Sequence, residues 1–427
     1  MSKFSFIYIG AFLILLSIFS FFNIIYSYYF NIFLSLNTYS YTFIICLILG
    51  IFLIFINKIK FKKISLHEKI ITVLFGYFFF PIIISLPYYF SIYNISFLSC
   101  YFEAISGFTS TGFTIFENIK HVDQSLILWR STSQWIGGLY FLFSILLLID
   151  IFDDNLKKSL TNYLSLNSSE IFKQSIKIIF IYTSLTLVIF IILKFINLRT
   201  FDAFNFSLTI ISSGGFLPTN NINILFQTDI SKITLSILML VSYFSLFLTY
   251  NLVFFKRKNI HYLSEDFYLL IYLLIITSII FVFFNSEKNF LNTLVSISSS
   301  VSNLGISFND ISSNLSFVYL ILVIIGGSFF STSSGLRLIK ILNLIKFSLN
   351  NLLSHTKPNQ IYLNKVSLID RNIFKTDINK YFLTIIIFII SLFSITLLLT
   401  ISNIDFESSF KLGILTIMNT VNSHMYD

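Results

Sequence analysis

The chain has 427 residues, 56% of them hydrophobic and only 11% charged, with a mean hydropathy of +0.86 and a formal net charge of +9. That composition excludes a soluble globular domain and describes an all-α polytopic membrane protein with little mass outside the lipid bilayer. The basic excess does not imply a nucleic-acid partner. The lysines crowd into four short segments, 58–69, 157–177, 256–258 and 337–380, at alternate ends of the apolar runs, as the positive-inside rule requires. Read that way, these segments and the N-terminus are cytoplasmic.

In chain order, charge-poor apolar runs predict spans at 4–30, 39–57, 70–90, 126–149, 171–196, 233–255, 267–284, 315–345 and 381–402. The first two form an N-terminal pair, residues 1–64, with no small-residue cleavage site that would mark a signal peptide. From there a unit recurs: span, polar dip, span, basic loop. Repeat 1 covers 65–156 with its pore loop at 99–116, and repeat 2 covers 157–260 with its pore loop at 202–220. Repeat 3 covers 261–356 with its pore loop at 289–310 and a glycine–serine–threonine segment at 326–337. Repeat 4, 357–427, has its first span and a pore loop at 405–423 but no second helix in this sequence. Four span–pore-loop–span repeats in one chain predict pseudo-fourfold symmetry around one pore.

The first dip sets a hydroxyl-rich string, Thr109, Ser110, Thr111 and Gly112, behind a short apolar stretch ending near Phe108. A helix stopping there aims its C-terminal partial negative charge at the bilayer centre, where a cation gains from it. Extended residues beyond it present backbone carbonyls that replace a cation's water shell. Taken alone, the string also fits small-residue helix packing. It recurs as Ile211, Ser212, Ser213 and Gly214, as Ser302, Asn303, Leu304 and Gly305, and as Asn419, Thr420, Val421 and Asn422. Gly112, Gly214, Gly305 and Asn422 serve as register points. In the eighth span, Gly326, Gly327, Ser331, Thr332, Gly335 and Arg337 belong to a small-residue stretch that favours a local helix break. It reads either as close packing against a neighbour or as an intramembrane loop that obstructs the permeation path. The five histidines are scattered without metal-ligand spacing, and Asp150, Asp153 and Asp154 read as a solvated cytoplasmic loop. No enzyme, covalent cofactor or resident metal is expected.

These residues resemble the bacterial Trk/Ktr-type potassium transporters. The resemblance rests on 102–112, on Trp129-Arg130 with Trp135-Ile136-Gly137-Gly138, on Asp202-Ala203 leading to 212–216, and on the segment 326–337. The two extra N-terminal spans point to the Trk branch. The resemblance implies potassium uptake across the bacterial cytoplasmic membrane through a carbonyl-lined filter, with potassium the only metal, bound as the transported ion. It also implies a homodimer working with a cytosolic ring of nucleotide-binding regulatory subunits. The strings at 109–112, 211–214, 302–305 and 419–422 become filter walls, and 326–337 becomes the gate loop. Departures are Phe330 and Ser334 in place of gate-loop glycines, Arg337 in place of lysine, Lys411 near a cation entrance, and Asn422-Ser423 in place of glycine–proline. The family's last helix has no counterpart here, so the chain reads as C-terminally shortened. The alternative reading is a non-conducting paralogue that acts as a membrane scaffold or partner subunit.

Overall fold

The computed structural model describes residues 6–56, 65–148, 171–219, 222–254, 264–283, 290–308, 313–356 and 375–421. The described residues are mainly helical, with one parallel two-residue strand pair, and they divide between Gln227 and Thr228 into two compact units. The expected all-α polytopic architecture is present. Among the described residues six helical stretches are long and apolar enough to cross a membrane: Ile7–Tyr29, Ser35–Ile56, Leu66–Tyr89, Lys173–Phe195, Glu265–Phe283 and Ile378–Ile401. Phe55, Phe195 and Phe283 leave 78%, 82% and 76% of their surfaces exposed, which suits hydrocarbon and not water.

In the first unit, α1 (Phe6–Tyr29) and α2 (Phe33–Ile56) form a hairpin. The pair is stitched by the Ser20 hydroxyl, which donates to the Tyr39 carbonyl at 2.8 Å. Helix α3 (Leu66–Ile84) begins at a capping box in which Ser65 and Glu68 bond each other's backbone N–H groups, and the short α4 (Leu86–Tyr89) follows it. Helix α5 (Phe97–Phe108) has 12 residues, about 18 Å of rise, so it reaches only partway through a hydrocarbon core about 30 Å thick. Helix α6 (Gln124–Leu147) is the unit's spine, with nearly every residue buried. The Trp129 indole donates to the Ile84 carbonyl at 3.0 Å, and Trp135 donates to Thr186 of α7 (Ile171–Phe195) at 3.0 Å. The unit ends with a second 12-residue helix, α8 (Thr200–Ile211).

The second unit holds α9 (Asp229–Tyr243), α10 (Leu246–Val253), α11 (Ser264–Phe283), α12 (Phe290–Ser302) and α13 (Ser313–Ile324). Strands β1 (Ile325–Gly326) and β2 (Leu336–Arg337), then α14 (Leu338–Thr356), α15 (Lys375–Ile401) and α16 (Phe406–Ile417), complete it. Two predicted spans prove discontinuous. The sixth breaks at Phe244–Ser245, where the Ser245 N–H leaves the helix ladder and donates to the Asp266 carboxylate at 3.0 Å. The eighth is not one helix over 315–345 but α13, a loop and α14, because serine hydroxyls and Arg337 satisfy the loop's backbone in place of a helix ladder.

The boundary between units falls inside the second predicted repeat rather than between repeats. Packing explains it. Helix α6 contacts the short helices of two successive repeats, α5 and α8, and so holds the start of repeat 2 in the first unit. In the same way α9, the second helix of repeat 2, packs chiefly on α12.

Candidate functional site

The four short helices α5, α8, α12 and α16 end in one backbone pattern. The N–H groups of Thr111, Gly214, Leu304 and Thr420 reach back five residues, to the carbonyls of Ser106, Thr209, Ser299 and Leu415, at 2.9, 2.8, 3.1 and 3.1 Å. The N–H groups of Ser110, Ser213, Asn303 and Asn419 reach back three, to Gly107, Ile210, Ser300 and Thr416, at 3.0, 3.2, 3.2 and 3.3 Å. That pair of bonds is a Schellman termination, which needs a left-handed residue just past the helix. The left-handed residues are Ser110, Ser213, Asn303 and Asn419, with φ of 57°, 55°, 62° and 48°. None is glycine, so each holds a conformation that costs an L-residue about 1–2 kcal/mol and that only its surroundings sustain.

This geometry corrects the register read from glycines. Ser110, Ser213, Asn303 and Asn419 are equivalent, so Gly214 matches Thr111, and Gly215 matches Gly112 and Gly305. In the fourth loop Val421, not Asn422, takes the glycine position. Asn422 matches Phe113, Phe216 and Ile306, and it lies outside the described residues. String matching failed because the shared left-handed position carries no glycine, and two residues further on only Gly112, at 97°, and Gly305, at 72°, are glycines with a positive φ.

Beyond each helix end the chain's carbonyls are left over. Among the described residues the carbonyls of Ser110 and Gly112, of Ser212 and Gly214, of Asn303, Leu304 and Gly305, and of Thr420 and Val421 accept no hydrogen bond. Several hydroxyls nearby turn back instead: Thr109 donates to the Ile105 carbonyl at 2.8 Å, and Ser212 to Leu208 at 2.9 Å. Backbone oxygens without partners in a membrane protein must meet water or a cation.

In the first unit the two loops lean on α6. A β-carbon at Gly137 would sit on the Phe108 carbonyl, and one at Gly138 would meet Ser212, so this glycine pair lets both helix ends approach the spine. The Gln134 amide lies against the second loop. With its oxygen oriented to satisfy both donors, the N–H groups of Gly215 and Phe216 reach it at 3.1 and 3.0 Å. Beside the first loop sits a buried ion pair, Glu103 with Arg130 at 2.8 Å, the two side chains 0% and 1% exposed. Glu103 also accepts from the Ile115 N–H at 2.9 Å, Arg130 donates to Thr114 at 2.9 Å, and its guanidinium stacks 4.2 Å from the Phe216 ring centre. One cation therefore fixes the chain leaving both loops.

In the second unit the two loops touch each other: a β-carbon at Gly305 would overlap the Val421 carbonyl. Their brace is the loop 325–337. The Arg337 guanidinium donates to the Gly327 carbonyl at 2.9 Å, to the Ser331 hydroxyl at 3.0 Å and to the Ser333 carbonyl at 3.2 Å. Backbone bonds hold the loop to the break between α9 and α10: Ser328 N–H to Tyr243 (3.0 Å), Ser333 N–H to Ser242 (3.2 Å) and Leu246 N–H to Phe330 (3.1 Å). Thr332 is buried beside them, and Ser331 hydrogen-bonds Ser333 at 3.1 Å.

The predicted residues thus gather in pairs of loops. Residues 109–112 and 211–214 meet α6, while 302–305 and 419–421 meet each other within the second unit, beside a loop containing Gly326, Gly335 and Arg337. Sequence reasoning quoted Glu103, Arg130, Gly137 and Gly138 without assigning them a task, and it overlooked Gln134. A charged pair in two otherwise apolar stretches was the available signal for the ion pair.

No protein-family profile matches the chain. It is similar to an uncharacterised cation transporter of Methanocaldococcus jannaschii, 26% identical over 299 residues, covering 67% of this chain and 60% of that protein. It is also similar to the Trk system potassium uptake protein TrkH of Salmonella typhimurium, 24% identical over 349 residues, covering 77% of this chain and 72% of the relative. TrkG of Escherichia coli is 24% identical over 351 residues, covering 76% and 70%. The chain thus spans about three-fifths of the length of the archaeal relative. The crystal structure of the potassium transporter TrkH from Vibrio parahaemolyticus superposes with a TM-score of 0.80 at 20% identity, over 97% of this chain and 89% of that one. The fold is shared.

Proposed function

We propose that this chain is the membrane subunit of a Trk-type potassium uptake system. The observation that carries the reading is the set of unbonded carbonyls at the ends of four half-length helices, all terminated by one hydrogen-bond pattern. Each helix end contributes partial negative charge, and each loop offers oxygens, the combination that a dehydrated monovalent cation needs. The names of the Trk relatives and the shared fold point the same way.

In this reading potassium is the transported ion, and its ligands come from 109–112, 212–215, 302–305 and 419–421, the register taken from the helix ends. The loop 325–337 is the gate, held closed by Arg337. The chain works as a homodimer in the bacterial cytoplasmic membrane, N-terminus inside, under a cytosolic nucleotide-binding regulatory ring.

The test is growth at limiting potassium in a bacterium stripped of its own uptake systems, with rubidium uptake measured alongside. The full chain should restore growth. Gly112→Val should abolish uptake while the protein stays in the membrane, because a β-branched residue cannot hold a φ of 97°. Normal transport by that variant sinks the filter assignment. No uptake by the intact chain, with its regulatory partner supplied, returns the protein to the scaffold reading.

A further inference from the structure

The loop 325–337 reaches the ion-binding loops of the second unit through one side chain. Ser334 accepts from the Asn303 side-chain amide at 2.6 Å, and its own hydroxyl donates to the backbone carbonyl of Met418. Asn303 is the left-handed residue that ends α12, and Met418 is the residue that caps α16. A serine hydroxyl has one proton to give and lone pairs to receive, so this single oxygen links both helix ends at once.

We infer that Ser334 is a positioning residue for ion discrimination, tying the loop 325–337 to both filter loops of the second unit so that their alignment depends on where that loop sits. The inference rests on the potassium reading. Three features of the site support it. Asn303 is 1% exposed, and its other amide atom, Oδ1, has no partner among the described residues. The neighbouring Thr420 hydroxyl is 0% exposed and likewise unpartnered there, so it does not share the task of Ser334. The two loops also abut at Gly305 and Val421, so slack in one is transmitted to the other. In the first unit the equivalent brace is Gln134 on a continuous helix, which has no freedom to leave. Displacing the loop 325–337 therefore releases the second unit's oxygens and leaves the first unit's in place. Ion selectivity, in this account, is highest when the loop is seated and falls as it moves.

The experiment uses the purified full chain in liposomes and compares rubidium with sodium flux. Ser334→Ala should lower the rubidium-to-sodium ratio by roughly tenfold, the effect of about 1.4 kcal/mol. Ser334→Thr, which keeps the hydroxyl, should recover most of it. Asn303→Ala should also lower the ratio, and the double variant should be no worse than Ser334→Ala, because the serine change already removes the bond to Asn303. Amide exchange of the same proteins in detergent gives a readout independent of transport: Ser334→Ala should speed exchange at Leu304 and Thr420 and leave Thr111 unchanged. An unaltered flux ratio with a transporting wild type overturns the inference and spares the potassium reading. Additive effects, or exchange unchanged at both Leu304 and Thr420, also overturn it. A wild type that carries no rubidium defeats the potassium reading and the selectivity role with it.

Discussion

The two units solve one problem with different materials. Each must hold a pair of helix-terminated loops in a conformation that their residues do not favour. The first uses α6, 24 residues of uninterrupted helix whose glycines and glutamine meet both loops. The second follows a 12-residue helix with the loop 325–337, whose hold on the neighbouring loops passes through serine, asparagine and arginine side chains. A helix keeps its shape through its own backbone ladder. A loop keeps its shape only while its side-chain contacts persist. The contrast teaches that the first unit's loops are held by a brace rigid by construction, and the second unit's by a conditional one.

Variants in the first unit should have the largest effects. Arg130→Met leaves the Glu103 carboxylate buried without its partner and should cost about 3–5 kcal/mol, read as a large fall in melting temperature in detergent. Adding Glu103→Gln should restore part of that loss; no recovery would mean that the pair acts through packing and not charge. Gly137→Val should cost about 1–3 kcal/mol through collision with the Phe108 carbonyl, and its melting curve should show it before any transport assay does. Gly112→Ala against Gly215→Ala compares two equivalent positions that hold different backbone angles. The first should cost about 1–2 kcal/mol because its φ is left-handed, and the second should be milder, since Gly215 is not among the positive-φ residues. Equal costs would mean that Gly215 shares the left-handed angle of Gly112.

In the second unit, Arg337→Gln should raise basal rubidium flux while lowering the melting temperature less than Arg130→Met does. An equal fall would erase the distinction between the two braces. The smallest effect is expected at Asp405, which caps α16 by accepting from the Ser408 N–H at 3.0 Å. That bond, with a second from the Ser408 side chain, holds its carboxyl below the ordinary value of 3.8. A lowered folded-state pKa adds stability above the ordinary value and loses it as pH falls through the lowered one. Asp405→Asn keeps a capping oxygen without the proton, so the acid sensitivity of α16 should weaken while its stability near neutral pH holds. Hydrogen exchange at Ser408 across pH 3 to 6 checks this.

Much of this was legible in the sequence for a local reason. Charge-free runs report membrane spans because a charge in hydrocarbon is costly wherever the segment packs. Polar dips between such runs were visible for the same reason, and the glycine–serine cluster correctly marked a broken helix. The register was not legible. Ser110, Ser213, Asn303 and Asn419 share a backbone angle and a pair of hydrogen bonds, while their side chains share little beyond small size and polarity. Arg337 misled in another way: it stands at the start of a basic segment, yet its guanidinium is turned into the loop rather than left for the cytoplasm.

The sequence by itself determined that the chain lives in a membrane, that its spans are interrupted four times by polar turns, and that one later span is broken. Hydropathy and helix-breaking residues act over a few positions and need no partner to be read. Only the tertiary structure decided which residues are equivalent among the four turns, which carbonyls remain unbonded, and that a helix braces one pair of turns while Ser334 bridges the other. Those facts depend on where a hydrogen bond lands, and a bond between positions 31 or 84 residues apart leaves no mark on either neighbourhood alone.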